Sequence, residues 1–404
     1  MSVGIASART LSERAAQWAA VALGVSIPIS TALDNVLLVL VLAGWLLAGH
    51  YRETLRCAGS SRTVLAALLL YGLLLAGTLY GERDAGDAAQ TLGKYRDLLF
   101  IPLFAALLRE APLRRLALQG FAASLVLVLV LSYFVAAGVP FPHWIAQGDT
   151  SNPVVFKQYL THGILLAFGA FLFAELAFAA STPGQRALWV LAALFAAANV
   201  LLMVQGRTGH LVLVALALYL GYGWRRWRGL AISGAAVAAT VAALIYVPGT
   251  FQERYGLATG DHASTRASRW AQVSNQQRMD FYRASLDIIR EHPLLGVGTG
   301  GFPLAYAEKT RGTDATSTRN PHNEYLHIAV QLGAVGLAAL LWLFLQHWRE
   351  SSRLASPLEC RLSRGFLLAI VVACLFNSLL LDHTEGLLYA WLTGVLFSGL
   401  KSSE

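Results

Sequence analysis

Mostly apolar stretches repeat along the chain, and one long polar stretch interrupts them between Val247 and Leu326. A helix that crosses a membrane needs about 20 mostly apolar residues, because its backbone groups can bond only to one another in hydrocarbon. The pattern therefore predicts an all-α polytopic membrane protein with about twelve transmembrane helices. The predicted spans are residues 15–31, 34–50, 63–80, 97–109, 115–137, 158–180, 187–204, 208–223, 229–247, 324–347, 364–381 and 384–400.

The positions of arginine in the short loops predict the orientation of these helices, because short cytoplasmic loops carry an excess of cations. With the N-terminus inside, most loop cations become cytoplasmic, and an even number of spans returns the C-terminus to the same side. Residues 1–404 then form a single membrane domain, with the polar stretch 248–322 as a helical insertion on the outer side, between the ninth and tenth spans. The cytoplasmic cations are Arg52, Arg56, Arg62, Arg109, Arg114, Arg115, Arg225, Arg226, Arg228, Arg349, Arg353, Arg361 and Arg364.

The composition supports the membrane prediction. Hydrophobic residues make up 56% of the chain and charged residues 13%, whereas soluble domains have roughly a quarter of their residues charged. The net charge of +8 lies mostly in the cytoplasmic loops, so no nucleic-acid partner is indicated. The three cysteines fall outside the outer loops, and no His, Cys or carboxylate cluster has metal-ligand spacing. We therefore expect neither a disulfide framework nor a bound metal.

Four cations lie at the outer ends of predicted spans, where the positive-inside tendency disfavours them: Arg207, Lys94, Arg96 and Lys157. If the helix bundle brings them together, they form a pocket for phosphate oxygens, which Arg binds in a bidentate way. The glycines beside Arg207 allow close backbone approach. The alternatives are structural: Arg207 can anchor in lipid headgroups, and Arg96 can pair with Asp97 or Asp87.

The long polar stretch contains a segment that predicts an amphipathic helix across the outer mouth of the bundle. Met279, Tyr282, Leu286 and Ile289 recur at helical spacing and predict its apolar stripe. The glycine-rich residues 296–301 follow it, but no strand precedes them, so a dinucleotide site is not indicated. The arginines of this helix form either a solvated face or an anion site, and they include Arg278, Arg283 and Arg290.

The end of the polar stretch predicts a helix N-terminus that bears a histidine. Asn320 suits the cap, Pro321 the first helical position, and His322 the first turn. The partial positive charge at a helix N-terminus disfavours the imidazolium form, so His322 is a candidate proton acceptor that Glu324 is placed to orient. The alternative is a structural histidine at the membrane interface.

These motifs occur in an order that is similar to a known family. The turn Gln205-Gly206-Arg207-Thr208-Gly209, the helix led by Arg278 and the segment 320–326 (Asn-Pro-His-Asn-Glu-Tyr-Leu) resemble the O-antigen ligase and polymerase superfamily. The resemblance implies a bacterial inner-membrane, GT-C type glycosyltransferase. It also implies that His322, Arg207 and Arg278 are its catalytic residues.

The activity implied by the resemblance is transfer of a glycan from undecaprenyl pyrophosphate to a sugar hydroxyl in the periplasm. In a ligase the acceptor is lipid A–core oligosaccharide, so the expected step belongs to lipopolysaccharide biosynthesis. The reaction is expected to invert the anomeric centre and to need no metal or other cofactor. Pyrophosphate binding is expected from Arg207, Arg278, Lys94, Arg96 and Lys157.

Two alternatives share the donor but not the acceptor: an O-antigen polymerase and an O-linked protein oligosaccharyltransferase. A third alternative, from another class, is a transporter or flippase for an anionic lipid. It requires internal repeats, or broken helices with buried charge, and the sequence indicates neither. The ligase is therefore the expected function.

Overall fold

The computed structural model of the protein describes residues 2–49, 51–82, 84–246 and 266–400. Within these ranges the regular secondary structure is helical, and β-type pairing is limited to isolated bridges. The predicted all-α class is confirmed for this part of the chain. Residues 248–265 of the predicted outer insertion lie outside the described residues.

The α-helices of the described ranges are numbered in chain order. They are α1 (Ser2–Ser26), α2 (Thr31–Ala48), α3 (Tyr51–Ser60), α4 (Arg62–Ala76), α5 (Ala85–Tyr95), α6 (Ile101–Leu107), α7 (Ala111–Ala136), α8 (Tyr159–Ala179), α9 (Pro183–Ala198), α10 (Arg207–Tyr246), α11 (Arg266–Glu291), α12 (Phe302–Lys309), α13 (Glu324–Glu350), α14 (Pro357–Ala373) and α15 (His383–Phe397).

Several of these helices are long and apolar enough to cross a membrane, which confirms a polytopic membrane protein. Among the described residues there are 7 such segments: Thr31–Ala48, Arg62–Leu79, Ala111–Ala136, Tyr159–Ala179, Pro183–Met203, Arg207–Ile245 and Glu324–Arg353. Other predicted spans coincide with α1, α6, α14 and α15, which are shorter or more polar. The number twelve therefore remains a prediction.

Helix α10 contains two of the predicted spans, because it folds back on itself. The backbone leaves the helical region at Arg225 and at Arg226, whose φ is 50°. Beyond this turn the two arms touch: a Cβ at Gly229 would collide with the carbonyl oxygen of Gly221. The arms correspond to the predicted spans 208–223 and 229–247, and the arginine-rich turn lies between them.

Several of the predicted cytoplasmic loops meet at one end of the bundle. Arg109 donates to the Cys57 sulfur at 2.9 Å, and the guanidinium of Arg114 lies 3.8 Å from the Glu359 carboxylate. At the same end the carboxylate of Glu350 accepts from the Thr63 backbone at 2.9 Å. These contacts agree with the prediction that the loops share one side of the membrane.

Helix α13 is interrupted, which the sequence did not indicate. Gly333 adopts φ 61° and ψ −154°, a combination that only glycine adopts readily. The glycine-rich segment 296–301 fills the break: Val297 N donates to Val330 O at 2.8 Å and Gly298 N to Gln331 O at 2.9 Å. These glycines thus supply hydrogen bonds to a broken helix, as discontinuous membrane helices require.

Ionisable side chains are also buried within the described ranges. Asp34, Asp97, Glu324 and Glu385 are all buried. The expectation that the chain lacks broken helices with buried charge was therefore wrong. The expectation failed for two reasons. A single glycine can interrupt a helix without altering the hydropathy of an apolar run, and isolated carboxylates at helix ends look in a sequence like residues of exposed loops.

Replacing Gly333 by Ala should destabilise the protein strongly. The new Cβ would collide with the Leu294 backbone, and alanine would also have to adopt an unfavourable positive φ. The expected loss of unfolding free energy therefore exceeds the roughly 1–3 kcal/mol typical of backbone strain alone. The measurement is thermal unfolding of purified protein in detergent. Gly49→Ala is the matched control, since Gly49 has φ 75° with open space around it, and Gly72→Ala controls for an unstrained helical site. Equal unfolding temperatures for the Gly333 and Gly49 variants would contradict the packing of residues 293–301 in the break.

Candidate functional site

Helix α11 packs across the end of the bundle opposite to the arginine-rich loops, and its buried face differs from the predicted stripe. Phe281, Ala284 and Ile288 are buried and form an apolar cluster with α12 and α13. Met279 and Leu286, by contrast, are 47% and 43% exposed. The predicted stripe is thus wrong for Met279 and Leu286, whereas Tyr282 and Ile289 are partly buried against the cluster. Two apolar faces with helical spacing overlap in this sequence, and spacing alone does not choose between them.

Arg207 begins α10, separated by three residues from the π-helical turn Asn199–Met203, and it contacts α11. Its guanidinium donates to Asn275 Oδ1 at 2.5 Å and to Ser274 Oγ at 3.3 Å. The following glycine, Gly209, lies so close to α8 that a Cβ there would be 3.0 Å from the Gly163 backbone. The flanking glycine therefore permits the close helix approach that places Arg207 beneath α11.

Arg278 follows Asn275 by about one helical turn and is half-buried, whereas Arg283 on the same helix is exposed. The Arg278 charge acts on Tyr282, one further turn along: burial raises the pKa of this phenol, and Arg278 opposes that rise. The face of α11 that carries Arg278 is therefore the face turned toward Tyr282 and its partners, while Arg283 points elsewhere.

Tyr282 connects α11 to His322. Its hydroxyl lies 3.1 Å from the carbonyl oxygen of Leu375 and 3.4 Å from that of His322. The neighbouring Phe281 ring lies 5.8 Å, centroid to centroid, from the His322 imidazole. From Asn275 to Tyr282 the helix rises about 10 Å, so Arg207 and His322 flank Arg278 by roughly one turn on either side.

The local structure at His322 corrects the predicted cap. Helix α13 begins at Glu324, and its N-cap is Asn323, whose side chain accepts from Leu326 N. His322 precedes the cap and has φ 52°, a left-handed conformation that is uncommon outside glycine and is typical of strained functional positions. Its backbone N–H donates to Asn320 Oδ1 at 2.8 Å. His322 therefore lies outside the first helical turn, and the predicted placement of the imidazole within that turn is wrong.

The side chain of His322 is oriented by Asn377, and not by Glu324 as the sequence suggested. His322 Nδ1 lies 3.1 Å from Asn377 Oδ1, and Asn377 Nδ2 donates to Asp382 Oδ2 at 2.8 Å. Glu324 is buried, and its carboxylate accepts instead from the Tyr95 hydroxyl at 2.5 Å and from Leu380 N at 3.0 Å. Those bonds fix α13 against the connection between α14 and α15, which carries Asn377 and Asp382.

Lys94 and Arg96 lie on the adjoining segment and are both exposed. Burial raises the pKa of Asp382, and the charge of Lys94 opposes that rise, which places the ammonium in the electrostatic reach of the His322 group. Of the two predicted partners of Arg96, Asp87 is paired with Arg319, whereas the charge of Arg96 acts on the buried Asp97. These interactions associate Lys94 with the His322 group and Arg96 with Asp97.

Lys157 occupies a different environment. Its side chain is only 7% exposed, and its ammonium donates to Thr31 Oγ1 at 2.9 Å and lies 3.9 Å from the Asp34 carboxylate. His383 approaches the same carboxylate, at 3.7 Å. The described contacts thus bring Arg207 and His322 against α11, the helix that carries Arg278, and leave Lys157 in a separate, ion-paired cluster.

Sequence reasoning missed Asn377 and Asp382, the two residues that connect to the histidine. A usable signal was present, because polar and ionisable residues within or beside membrane spans are candidates for function by default. Asn377 and Ser378 interrupt an apolar run, and Asp382, His383 and Glu385 open the next one. Within the described ranges, no group of three or more His, Cys, Asp or Glu side chains is arranged to hold a metal ion.

Comparison with known proteins supports the resemblance drawn from the motifs. Residues 191–341 match the family model described as O-antigen ligase. A comparison with curated proteins gives no match. The matched segment contains Arg207, Arg278 and His322, together with the interrupted part of α13. Residues 191–341, rather more than a third of the chain, are thus similar to the O-antigen ligase family.

Proposed function

We propose that the protein is an O-antigen ligase that transfers a glycan from undecaprenyl pyrophosphate to a sugar hydroxyl of lipid A–core oligosaccharide. The observation that carries this proposal is the arrangement on α11, where Arg278 lies between the Arg207 contact at Asn275 and the His322 contact at Tyr282. An anion-binding pair of guanidinium groups next to an oriented imidazole fits transfer away from a pyrophosphate leaving group.

Arg207 and Arg278 are proposed to bind the pyrophosphate. The donor leaves with developing negative charge, which fixed guanidinium groups stabilise without reorganising. Arg207 is already held by Asn275 and Ser274, so its position is set before the substrate arrives. We propose that the end of the bundle that carries both arginines lies at headgroup depth, where the pyrophosphate binds while its polyprenyl tail stays in the membrane.

His322 is proposed to be the general base. Its Nε2 atom has no hydrogen-bond partner among the residues that the structure describes, so it is available to an acceptor hydroxyl. As Nε2 takes the proton, the hydroxyl oxygen forms a bond to the anomeric carbon. The bond from that carbon to the pyrophosphate oxygen breaks, and its electron pair leaves with undecaprenyl pyrophosphate. Attack opposite the leaving group inverts the anomeric centre.

The remaining predicted cations divide into two groups. The exposure of Lys94 within electrostatic reach of the His322 group supports a supplementary role in pyrophosphate binding, and the exposed Arg96 is proposed to assist it. The contacts of Lys157 with Asp34 and Thr31 support a structural role instead, because its charge is already matched in a buried site. We propose that the site faces the periplasm of a bacterial inner membrane, with both termini cytoplasmic.

A carrier of anionic lipids is the second candidate, and one observation favours it. The break in α13 at Gly333, in a bundle that also contains buried carboxylates, is the kind of feature that transporters use. Purified protein in liposomes distinguishes the two: glycosyl transfer supports the ligase, whereas movement of labelled lipid without transfer supports the carrier. Offering lipid A–core, a second glycan chain or a peptide as acceptor further separates ligase, polymerase and protein-directed transfer.

Arg278→Ala should abolish most transfer, while Arg283→Ala should leave it near the wild-type rate. The two residues share a helix, but only Arg278 lies on the face that is half-buried toward Tyr282. We expect a loss of at least about a hundredfold for the first variant, as for other removed stabilisers of transition-state charge. The measurement is the initial rate in proteoliposomes with lipid-linked glycan. Equal losses for the two variants would exclude the assigned face of α11.

His322→Gln should lose transfer but keep donor binding. Glutamine preserves much of the side-chain size but cannot accept the proton of the acceptor hydroxyl, so the chemical step slows by about a hundredfold or more. Donor affinity is measured separately, by binding of labelled undecaprenyl pyrophosphate to the purified variant. Normal lipopolysaccharide formation by this variant in ligase-deficient cells would remove the assignment of His322 as the base.

Transfer should persist in excess EDTA, because guanidinium groups are proposed to stabilise the leaving group. The test compares rates before and after chelation, with inhibition of a known Mg²⁺-dependent glycosyltransferase as the control. Loss of transfer that added Mg²⁺ restores would contradict the proposed role of Arg207 and Arg278.

A further inference from the structure

The strongest unexplained arrangement near the site is the chain of side chains that starts at His322 and ends at Asp382. Asn377 is 7% exposed and lies between the two. Its Oδ1 is 3.1 Å from His322 Nδ1, and its Nδ2 is 2.8 Å from Asp382 Oδ2. The proposed function uses the orientation that Asn377 gives to His322, but it leaves open which ring nitrogen carries the proton and what Asp382 does.

The Asp382 carboxylate determines the orientation of the Asn377 side-chain amide. The oxygen and nitrogen of an amide are distinguished by their partners, and an ionised carboxylate only accepts hydrogen bonds. The Nδ2 group must therefore face Asp382, which leaves Oδ1 to face His322. Because Oδ1 also only accepts, the imidazole must donate to it, and so Nδ1 carries the ring proton. A neutral imidazole has one such proton, and its lone pair is then on Nε2.

We infer that Asn377 and Asp382 are positioning residues that hold His322 in the tautomer protonated at Nδ1, with Nε2 free to accept a proton. The inference rests on the proposed function for its catalytic consequence, but the tautomer itself is a property of the resting protein. Neither residue touches the reacting atoms. Asp382 acts through Asn377, and Asn377 acts through the ring that it orients.

The surroundings hold this arrangement in place. Asn323 Nδ2 donates to Leu375 O at 2.9 Å, and Glu324 N donates to Cys374 O at 2.9 Å. These bonds join the start of α13 to the segment that carries Asn377. Burial raises the pKa of Asp382, while Lys94, Asn377 and His322 all oppose that rise and favour the carboxylate form. The backbone of His322 is independently fixed by Asn320.

Two variants remove the constraint in different ways. Asp382→Asn keeps the shape of the side chain but allows the amide of Asn377 to turn round and present Nδ2 to the imidazole, which then favours the proton on Nε2. Asn377→Leu removes the acceptor altogether. Asn377→Asp is the conservative variant: it keeps an acceptor oxygen for Nδ1, and the two adjacent carboxylates can share one proton. Asn35→Leu, at an exposed asparagine on α2, is the matched control.

The direct readout is nitrogen solid-state NMR of the full chain in lipid bilayers, with ¹⁵N-labelled histidine. The His322 signals are identified as those missing from His322→Gln. We expect the Nδ1-protonated form in the wild type, in Asn377→Asp and in Asn35→Leu. The Nε2-protonated form, or a mixture, should appear in Asp382→Asn and Asn377→Leu.

Kinetics supply the second readout. The variants with an altered tautomer should lose about a hundredfold or more in kcat, with little change in KM for the donor, because only proton acceptance is affected. Asn377→Asp should recover much of that loss. A wild-type tautomer in Asp382→Asn, which keeps the side-chain shape, would overturn the inference. Absence of glycosyl transfer by the wild-type protein, with the tautomer shift still present, would instead overturn the proposed function alone.

Discussion

The packing of α11 against α12 and α13 is the interaction on which the rest of the site depends. Phe281, Ala284 and Ile288 bury the inner face of this helix, and their burial sets the rotation of everything else on it. With that face fixed, Asn275 meets Arg207 and Tyr282 meets the backbone of His322. The apolar contact therefore decides which arginine of the helix faces the site, although no apolar side chain takes part in the proposed chemistry.

A second constraint comes from the break in α13. Broken helices leave backbone groups without partners, and the segment 296–301 supplies those partners by inserting beside Val330 and Gln331. The same insertion leads directly into the beginning of α12, which packs against α11. The proposed site is thus built from elements that are distant in sequence, tied together by backbone hydrogen bonds and by the buried Glu324 between Tyr95 and Leu380.

Much of this could be predicted from the sequence, because membrane spans and loop cations follow from hydropathy and charge alone. The helical class, the turn at Arg207 and the helix that bears Arg278 are of this kind. The register of α11 was not predictable, since Met279 and Phe281 both belong to apolar faces with helical spacing. The cap was misplaced by three residues because Asn320 and Asn323 are equally good capping residues, and only tertiary contacts distinguish them. Asn377 and Asp382 reach His322 through long-range folding, which a single sequence does not encode locally.

The central claim is that α11 places a pyrophosphate between Arg207 and Arg278 with its sugar toward His322. Cryo-electron microscopy of the protein with a non-transferable undecaprenyl pyrophosphate glycan tests it most directly. The account predicts phosphate oxygens within hydrogen-bond distance of both guanidinium groups and the anomeric carbon on the side facing His322 Nε2. A pyrophosphate bound elsewhere, such as against the cluster of Lys157 and Asp34 or among the arginines of the opposite end, would contradict it.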